Sequence, residues 1–487
     1  MARAQALDPL SGKEPKLMQT NFAVGHNQWY RKPATRTIED LPFELLVLIF
    51  KFAFSNSIFR QFDNDWDGFD AKKGTMWPFE YSDVDIRSPS LFPYGLASVC
   101  RKWSKLMRSV PLFWTRIFVF IDELFSVQHA PADLKLSKQL PIKLTMTRRR
   151  RSAFNNDPST ERSIMEAVMK IIGPHTHIAR CTRLTFDLTH TSSLPRLLTD
   201  FDYPAPILRI LIMRGALASG LGGLSSNTEI KLGNHFPQLE ELHIDGHNFV
   251  DSIKNAPHRL AKLVSEPVQL LRVENYDPAA GIVPQGRFLV FDAFPIFEGV
   301  ANLELDSLAF DHAPRSRAEM LRVAGTQILD LEFICLIRLS SPLTATLARM
   351  VSPESMHIVS CPLHNVLAFP ARRKLKLENI LYAGLAPQLR KLLAPWRGTS
   401  LTLKLCSIDD TVLVMIGSLG GSVLGLEMNV PCLRKLRLRY CPTISTVVVA
   451  YLGVSREFQI GQNPNTFSIL IQGCAGFLKR KVKFSRI

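Results

Sequence analysis

A short apolar motif, L-x-L or a close variant, recurs through the C-terminal part of the chain at intervals of about 25 to 33 residues. Its instances are Leu184-Thr185-Phe186, Leu208-Arg209-Ile210, Leu242-His243-Ile244, Leu271-Arg272-Val273, Leu303-Glu304-Leu305, Leu329-Asp330-Leu331, Leu375-Lys376-Leu377, Leu403-Lys404-Leu405 and Leu436-Arg437-Leu438. One longer interval, of about 44 residues, leaves room for a further unit around Met356-His357-Ile358. Such short alternation predicts strands with one buried face, and a recurrent period of this length is typical of stacked repeats.

The most regular unit, LRKLRLRYC at residues 433–441, fits the pattern L-x-x-L-x-L-x-x-N/C of a leucine-rich repeat. The segment at 239–244 fits nearly as well. In such a repeat each unit supplies one short parallel strand and a return segment, and stacking buries a continuous core. Most units lack Asn or Cys at the ninth position, so a non-repeating α/β domain with parallel strands remains the alternative.

Two amphipathic segments precede the repeats. In the first, Leu45, Leu46, Ile49, Phe50 and Ala53 recur at helical spacing, which predicts a short helix with these residues on one face. In the second, apolar residues form one stripe that predicts a single helix ending at Pro111: Leu96, Val99, Cys100, Trp103, Leu106, Met107 and Val110. Two such short helices cannot bury all their apolar surface alone, so part of it is expected to face a partner.

These segments together resemble an F-box, and in detail the F-box of fungal proteins. The resemblance depends on Leu41-Pro42, Glu44-Leu45-Leu46, Ile49-Phe50, Val99-Cys100-Arg101-Lys102-Trp103, Pro111 and Leu112-Phe113-Trp114. It covers under a fifth of the chain, and residues 55–93 interrupt it where an F-box usually has a short link. The alternative is a pair of ordinary core helices in an all-α domain.

The resemblance implies a substrate-recognition subunit of an SCF-type cullin-RING ubiquitin ligase. The F-box residues would bind the Skp adaptor, and through it the cullin and RING subunits: Leu41, Pro42, Leu45, Leu46, Ile49, Phe50, Val99, Trp103 and Trp114. The C-terminal repeats would hold a protein substrate, since leucine-rich repeats commonly follow F-boxes. Such a receptor needs no cofactor and no chemistry of its own, because it acts by holding a lysine near the transfer site.

The inserted segment is rich in Asp, Gly, Ser and Pro, and we expect residues 57–90 to form a mobile loop. Residues 63–68 (DNDWDG) match the start of an EF-hand calcium loop. Position twelve of that loop would be Gly74, where calcium binding needs a bidentate Glu. An acidic, solvated loop is therefore the preferred interpretation.

The basic composition favours a second hypothesis. The net charge is +16, and basic runs occur at residues 148–151 (RRRR) and in the tail, at Lys479, Arg480, Lys481, Lys483 and Arg486. Both runs are compatible with a nucleic-acid-binding or scaffold repeat protein, or with nuclear import signals. The other interpretation is a solvated basic surface, since the charges are spread along the chain.

Other classes find less support. No Cys/His group has zinc-ligand spacing, and no catalytic motif occurs. The uncharged run at 411–426 is too short and too rich in glycine to span a bilayer. The eight cysteines form no C-x-x-C pair, and no apolar signal segment opens the chain. We therefore expect reduced thiols, a cytoplasmic or nuclear location, no membrane partner and no enzymatic activity. The third hypothesis is an enzyme whose site the known motifs do not identify.

The predicted architecture is of the α+β class, with small all-α F-box helices followed by an α/β leucine-rich-repeat-like solenoid. A length of 487 residues fits several units. We expect a flexible segment at 1–36, the F-box with its inserted loop at 37–120, a linker and helical cap at 121–180, and the repeat domain at 181–487.

The expected substrate site is a column of acids on the concave face of the repeats, where non-apolar strand positions point. Its members are Asp245, Glu274, Glu304, Asp306, Asp330, Glu332 and Glu378. A basic substrate segment would bind them, whereas the units from Lys404 to Arg439 would prefer an acid or phosphate. The alternative is a solvated surface in which Arg272 and Lys376 partly neutralise the acids.

Overall fold

The computed structural model describes residues 38–59, 92–150, 153–154, 157–172, 177–201, 204–217, 236–265, 268–279, 288–313, 328–381, 385–393, 395–417, 432–441, 443–445, 447–449, 468–472, 474 and 480–483. The chain divides into two compact units, Met1–Ala53 and Phe54–Ile487. The segment at 1–36, the calcium-loop-like residues 63–68 and most of the inserted loop lie outside the described residues.

Helix α1 (Phe43–Phe59) follows a 3-10 turn at Ile38–Asp40, and Pro42 stands directly before its first residue. Leu46 and Phe50 are buried, whereas Leu45 and Ile49 are 47% and 41% exposed. The residues of the predicted face therefore divide into a buried pair, Leu46 and Phe50, and an exposed pair, Leu45 and Ile49. Leu48 and Phe52 add further exposed apolar surface to α1. A helix that is apolar all round needs cover on more than one side.

The second predicted helix is in fact two, α2 (Tyr94–Ala97) and α3 (Arg101–Ser109). Cys100 separates them because its backbone is extended and its Sγ accepts a hydrogen bond from the N–H of Trp103, 3.5 Å away, which makes it the N-cap of α3. Trp103, Leu106 and Met107 form the buried face of α3, and Val99, in the break, is exposed. The prediction of one continuous stripe was wrong at this residue.

A single sheet organises the second unit, with its strands in chain order. Thirteen strands of the described chain run parallel: β1 (Arg116–Phe120), β2 (Ile142–Thr147), β3 (Cys181–His190), β4 (Ile210–Leu217), β5 (Glu241–Asp245), β6 (Leu270–Tyr276), β7 (Asn302–Leu308), β8 (Phe333–Ile337), β9 (Ser355–Val359), β10 (Lys374–Glu378), β11 (Ser400–Lys404), β12 (Lys435–Arg439) and β13 (Ser468–Gln472). A last strand, β14 (Arg480–Lys483), pairs antiparallel with β13. Sequential parallel strands of this kind are the arrangement expected of stacked repeats.

The return segments carry the remaining helices of the described chain. They are α4 (Leu124–Leu136), α5 (Pro158–Ile172), α6 (Gly246–Asn255), α7 (Pro257–Ser265), α8 (Phe294–Phe297), α9 (Ser341–Met350), α10 (Leu385–Leu393) and α11 (Asp410–Gly417). From β5 to β13 the second and fourth residues of each strand are apolar and almost fully buried, as Leu242 and Ile244 illustrate in β5. They belong to one continuous core with the apolar residues of the return segments.

The predicted α+β class is wrong. The architecture is α/β, and no separate small all-α block is present among the described residues. The reason lies after α3, where a 3-10 turn at Pro111–Trp114 leads without a linker into β1. Because β1 pairs with β2, and β2 with β3, the sheet begins at Arg116 and not near residue 181. The solenoid-like α/β part of the prediction is compatible with this sheet.

A left-handed turn recurs at the same place in seven consecutive strands. The sixth residue counted from the start of β6 through β12 has a positive φ, between 52° and 60°: Asn275, Ser307, Arg338, Ser360, Asn379, Leu405 and Tyr440. Asn adopts this conformation readily, whereas Leu and other bulky residues do so at a cost. The turn sets a common path out of each strand, which is evidence for true repetition.

Cysteines occupy the seventh position, counted from the start of the strand, in four of the units. Cys361, Cys406, Cys441 and Cys474 are all buried at the seventh position. The thiol of Cys406 donates to the carbonyl of Leu377 in the preceding strand, and Cys441 donates likewise to Leu403. The ninth-position Cys of the repeat pattern thus satisfies a buried carbonyl of its neighbour. All eight cysteines of the chain are free thiols.

Replacing Leu405 by Asn should raise the free energy of unfolding by about 1 kcal/mol, because Asn tolerates the left-handed backbone that strains Leu. The Leu405 side chain is 42% exposed, so little packing is lost. Urea titration would measure the change. As a control, Leu367→Asn alters a residue that is 74% exposed and not among those with positive φ, and it should give no gain. Equal effects of the two substitutions would contradict the strain argument.

Candidate functional site

The first, third and fifth residues of β5 to β13 form the face of the sheet opposite the core, here called the polar face. In-register pairing aligns the third residues in one row: His243, Arg272, Glu304, Cys335, His357, Lys376, Thr402, Arg437 and Leu470. The fifth residues form a second row, which includes Asp245, Glu274, Asp306 and Glu378. Neighbouring strands lie about 4.8 Å apart, so side chains of successive units come into contact along each row.

Two members of the predicted acid column lie outside it. Strand β8 begins at Phe333, so Ile337 occupies the fifth position, while Asp330 and Glu332 precede the strand. The FICLI sequence of β8 is a continuous apolar run, so it lacks the alternation of apolar and polar residues by which the other strands were predicted. The prediction for β11 was shifted by two residues. The strand motif is Leu401-Thr402-Leu403 and not Leu403-Lys404-Leu405, so Lys404 takes the fifth position and Cys406 is buried beyond the strand.

Arg272 lies at the centre of an ion cluster on the polar face. Its guanidinium nitrogens lie 2.8 Å from Glu304, 2.9 Å from Glu274 and 3.5 Å from Asp306. Arg338, which sequence analysis did not identify, contacts Asp306 at 2.7 Å. The three acids are buried, so they are held by these cations more than they are offered to solvent. The partial neutralisation that we considered as an alternative therefore applies to this part of the column.

Burial raises the pKa of Glu304 to about 7. Arg272 opposes the shift, while the carboxylates of Asp306 and Glu274 add to it. The cluster thus has more negative groups than its cations balance, and Glu304 is the member that takes up a proton near neutral pH.

Asp245 has a structural role. Its carboxylate accepts hydrogen bonds from the N–H of His247, at 2.9 Å, and from the hydroxyl of Thr191, at 3.0 Å, and it caps α6. The side chain is fully buried, and burial raises its pKa to about 8. A ligand on the polar face cannot reach it.

Glu378 organises a second cluster. The ammonium groups of Lys376 and Lys404 each lie 2.9 Å from its carboxylate, and Nε2 of His357 lies at 3.2 Å. Burial alone would raise the pKa of Glu378, but the hydrogen bonds from His357, Lys376 and Lys404 bring it well below its usual range. Burial lowers the pKa of His357 to about 4, so the imidazole is neutral at physiological pH.

The arginine run at 148–151 follows β2. The backbone N–H groups of Arg149 and Arg150 donate to the carboxylate of Asp122, at 2.8 and 2.9 Å. The Arg149 guanidinium contacts Glu123 at 2.6 Å, and Arg148 is buried. Acidic neighbours thus engage part of this run within the fold, whereas position 151 is outside the described residues.

The predicted adaptor-binding residues separate into two groups. Pro42, Leu45, Ile49 and Val99 are exposed, and Leu41 is half-buried. Leu46, Phe50, Trp103 and Trp114 are buried, and the indole N–H of Trp114 donates to the carbonyl of Met107 at 2.8 Å. Only the first group has exposed surface that a partner could contact.

The described residues contain no group of three or more His, Cys, Asp or Glu side chains placed to hold a metal ion. Within the same part of the chain, no helix has the length and apolar character needed to cross a bilayer. Comparison of the sequence with protein-family models finds no matching family, and comparison with curated proteins finds no matching sequence.

Replacing Arg272 by Met should lower the free energy of unfolding by about 3–5 kcal/mol, since it leaves buried carboxylates without their shared cation. The matched change Arg372→Met removes a partly exposed ion pair to Asp330, at 3.0 Å, and should cost under about 1 kcal/mol. Chemical denaturation of both variants provides the comparison. Similar losses of stability in the two variants would mean that the ion cluster at Arg272 stabilises the fold no more than the exposed ion pair does.

Glu304 should make stability depend on pH. Its folded-state pKa, about 7, exceeds the ordinary value of 4.5, so the folded state binds the proton more tightly. This contribution to stability is complete below about pH 4.5 and is lost as pH rises towards 7. Relative to the parent, Glu304→Gln should therefore gain stability across this window, on the order of 1–3 kcal/mol. Thermal unfolding at several pH values tests this, and parallel curves would contradict it.

Proposed function

We propose that this chain is a substrate-recognition subunit of an SCF-type cullin-RING E3 ubiquitin ligase. The observation that carries the proposal is that, on α1, residues of the F-box-like motif are also exposed apolar residues. The residues that resemble an F-box, Leu45 and Ile49 among them, are apolar side chains left exposed beside Leu48 and Phe52. Exposed apolar patches of this kind mark sites of protein interaction. The Skp adaptor is the partner that the motif implies.

The burial pattern refines the division of roles within the motif. Pro42, Leu45 and Ile49 would contact the adaptor, since their side chains are exposed. Trp103 and Trp114 would act indirectly, by building the local core around α3. Buried residues of this kind support an interface without contributing contact area, so their replacement affects folding first.

The sheet is suited to hold a substrate. Its polar face presents rows of side chains from consecutive units at a spacing of about 4.8 Å, and it contains both acidic and basic parts. In the proposed complex the chain supplies binding and orientation only. Ubiquitin transfer occurs on other subunits, and the gain comes from the raised effective concentration of a substrate lysine.

The docking assignment predicts that Leu45→Ala with Ile49→Ala weakens binding of the purified Skp adaptor by about 2 kcal/mol or more, roughly 30-fold, because both would be interface anchors. Isothermal titration calorimetry with the full chain measures this. The matched control replaces Leu124 and Phe125, an exposed apolar pair on α4 outside the motif, with Ala. It should bind as the parent does.

Unchanged adaptor binding by a folded double variant would overturn the assignment. Binding by apolar contacts should also persist at about 0.3 M salt, whereas binding of a nucleic acid through phosphate contacts falls steeply with salt. A chain that failed to bind the adaptor but bound nucleic acid in this salt-dependent way would favour the second hypothesis, a basic repeat protein.

A further inference from the structure

The polar face changes its charge along the sheet. Around β6 and β7 the acids of the Arg272 cluster dominate. From β10 to β13 the first, third and fifth positions hold six basic side chains and one carboxylate, Glu378: Lys374, Lys376, Lys404, Lys435, Arg437 and Arg439. The remaining positions are uncharged, namely Ser400, Thr402, Ser468, Leu470 and Gln472. Among the described residues of these four strands, the face therefore has an excess of five positive charges.

Lys376 and Lys404 converge on the carboxylate of Glu378, which occupies them both at 2.9 Å, whereas the other basic side chains are spread over the strands. Lys374 and Lys435 occupy the first row on β10 and β12, with Ser400 between them, and Lys376 and Arg437 flank Thr402 in the third row. Two strand spacings separate the members of each pair, which is about 10 Å. A single phosphate group needs several donors within hydrogen-bond distance of one point, which this spacing does not offer.

We propose that the basic face of β10 to β13 binds an extended acidic segment of a protein substrate, rich in Asp or Glu. This inference deepens the proposed function and rests on it, because the acidic segment is taken to belong to the substrate of that function. An extended chain in the polyproline II conformation has three residues per turn and advances about 3.1 Å per residue. Carboxylates three residues apart then lie on one side of the chain, about 9 Å from each other, which matches the separation of the cations. The acids around Glu304 are buried and paired with Arg272 and Arg338, so the excess of cations that such a segment needs lies on the C-terminal strands.

The hydroxyls of Ser400 and Thr402, between the cations, add donors that suit carboxylate or backbone oxygens. Glu378 holds Lys376 and Lys404 in place through contacts of 2.9 Å, which reduces the side-chain entropy lost on binding. Small polar residues between fixed cations leave room for a chain to lie across the strands.

The test uses the full chain and a fluorescein-labelled peptide of four Glu-Ser-Ser repeats, followed by fluorescence anisotropy. The variant Lys374→Ser with Lys435→Ser and Arg437→Ser should weaken binding at least about tenfold, since three of the six cations are lost. The matched control removes three exposed helical lysines, by Lys135→Ser, Lys170→Ser and Lys391→Ser, and should stay within about twofold of the parent.

A second variant tests the same surface in case the triple variant does not fold. Thr402→Glu introduces one carboxylate between Lys376 and Arg437 and should also weaken binding of the peptide severalfold. Circular dichroism checks that this variant is folded. Adaptor binding should be unchanged in all of these variants. Loss of peptide binding with intact adaptor binding separates this inference from the docking assignment.

Several results would overturn the inference. Equal weakening in the control variant would mean that net charge alone attracts the peptide. Tighter binding of a peptide with a single phosphoserine pair, by more than about tenfold, would assign the surface to phosphate. Preferential binding of a short RNA that the triple variant abolishes would assign it to nucleic acid.

Discussion

The structure depends on the in-register parallel pairing of one strand with the next. From β5 to β13 the second and fourth residues of each strand are buried at or near full coverage, and they form one continuous core with the return segments. No unit can bury these residues alone, because a single strand and its return segment present an apolar face that only the neighbouring units cover. The antiparallel β14 pairs with the last parallel strand at the C-terminal edge, and β1 forms the other edge.

The same repetition explains the backbone conformation at the point where the chain leaves each strand. A left-handed residue at the sixth position turns the chain out of each strand from β6 to β12, even where the residue is Leu, Arg or Tyr. The surrounding stack enforces a conformation that such residues otherwise avoid. The following position is buried, and where it is cysteine the thiol reaches a carbonyl of the preceding unit, as with Cys406 and Leu377. Local strain and local hydrogen bonding are thus both consequences of stacking.

Stacking also determines the electrostatics of the polar face. Because strands lie about 4.8 Å apart, charges that are some 30 residues apart in sequence become neighbours, as Arg272 and Glu304 do at 2.8 Å. Burial at that spacing raises the pKa of Glu304, whereas in Glu378 the effect of burial is outweighed by hydrogen bonds from His357, Lys376 and Lys404, which lower its pKa. One face therefore contains acids that are paired with arginines and a basic area, and the acidic substrate segment that we propose would bind the basic area.

The sequence by itself determined the repeat, because alternation and a regular interval are properties that each unit shows locally, and Met356-His357-Ile358 was placed correctly for the same reason. The F-box resemblance, likewise, is a matter of sequence, and its partner remains a prediction. Only the tertiary structure decided that the sheet starts at Arg116, that Cys100 divides a helix, and that Asp245 caps α6 instead of facing a ligand. The tertiary structure also showed that the fifth position of β8 holds Ile337, whereas we had expected Glu332 there from the sequence. Register and burial depend on which units stack on which, and a shift of two residues leaves the alternating pattern unchanged while it replaces every side chain on the face.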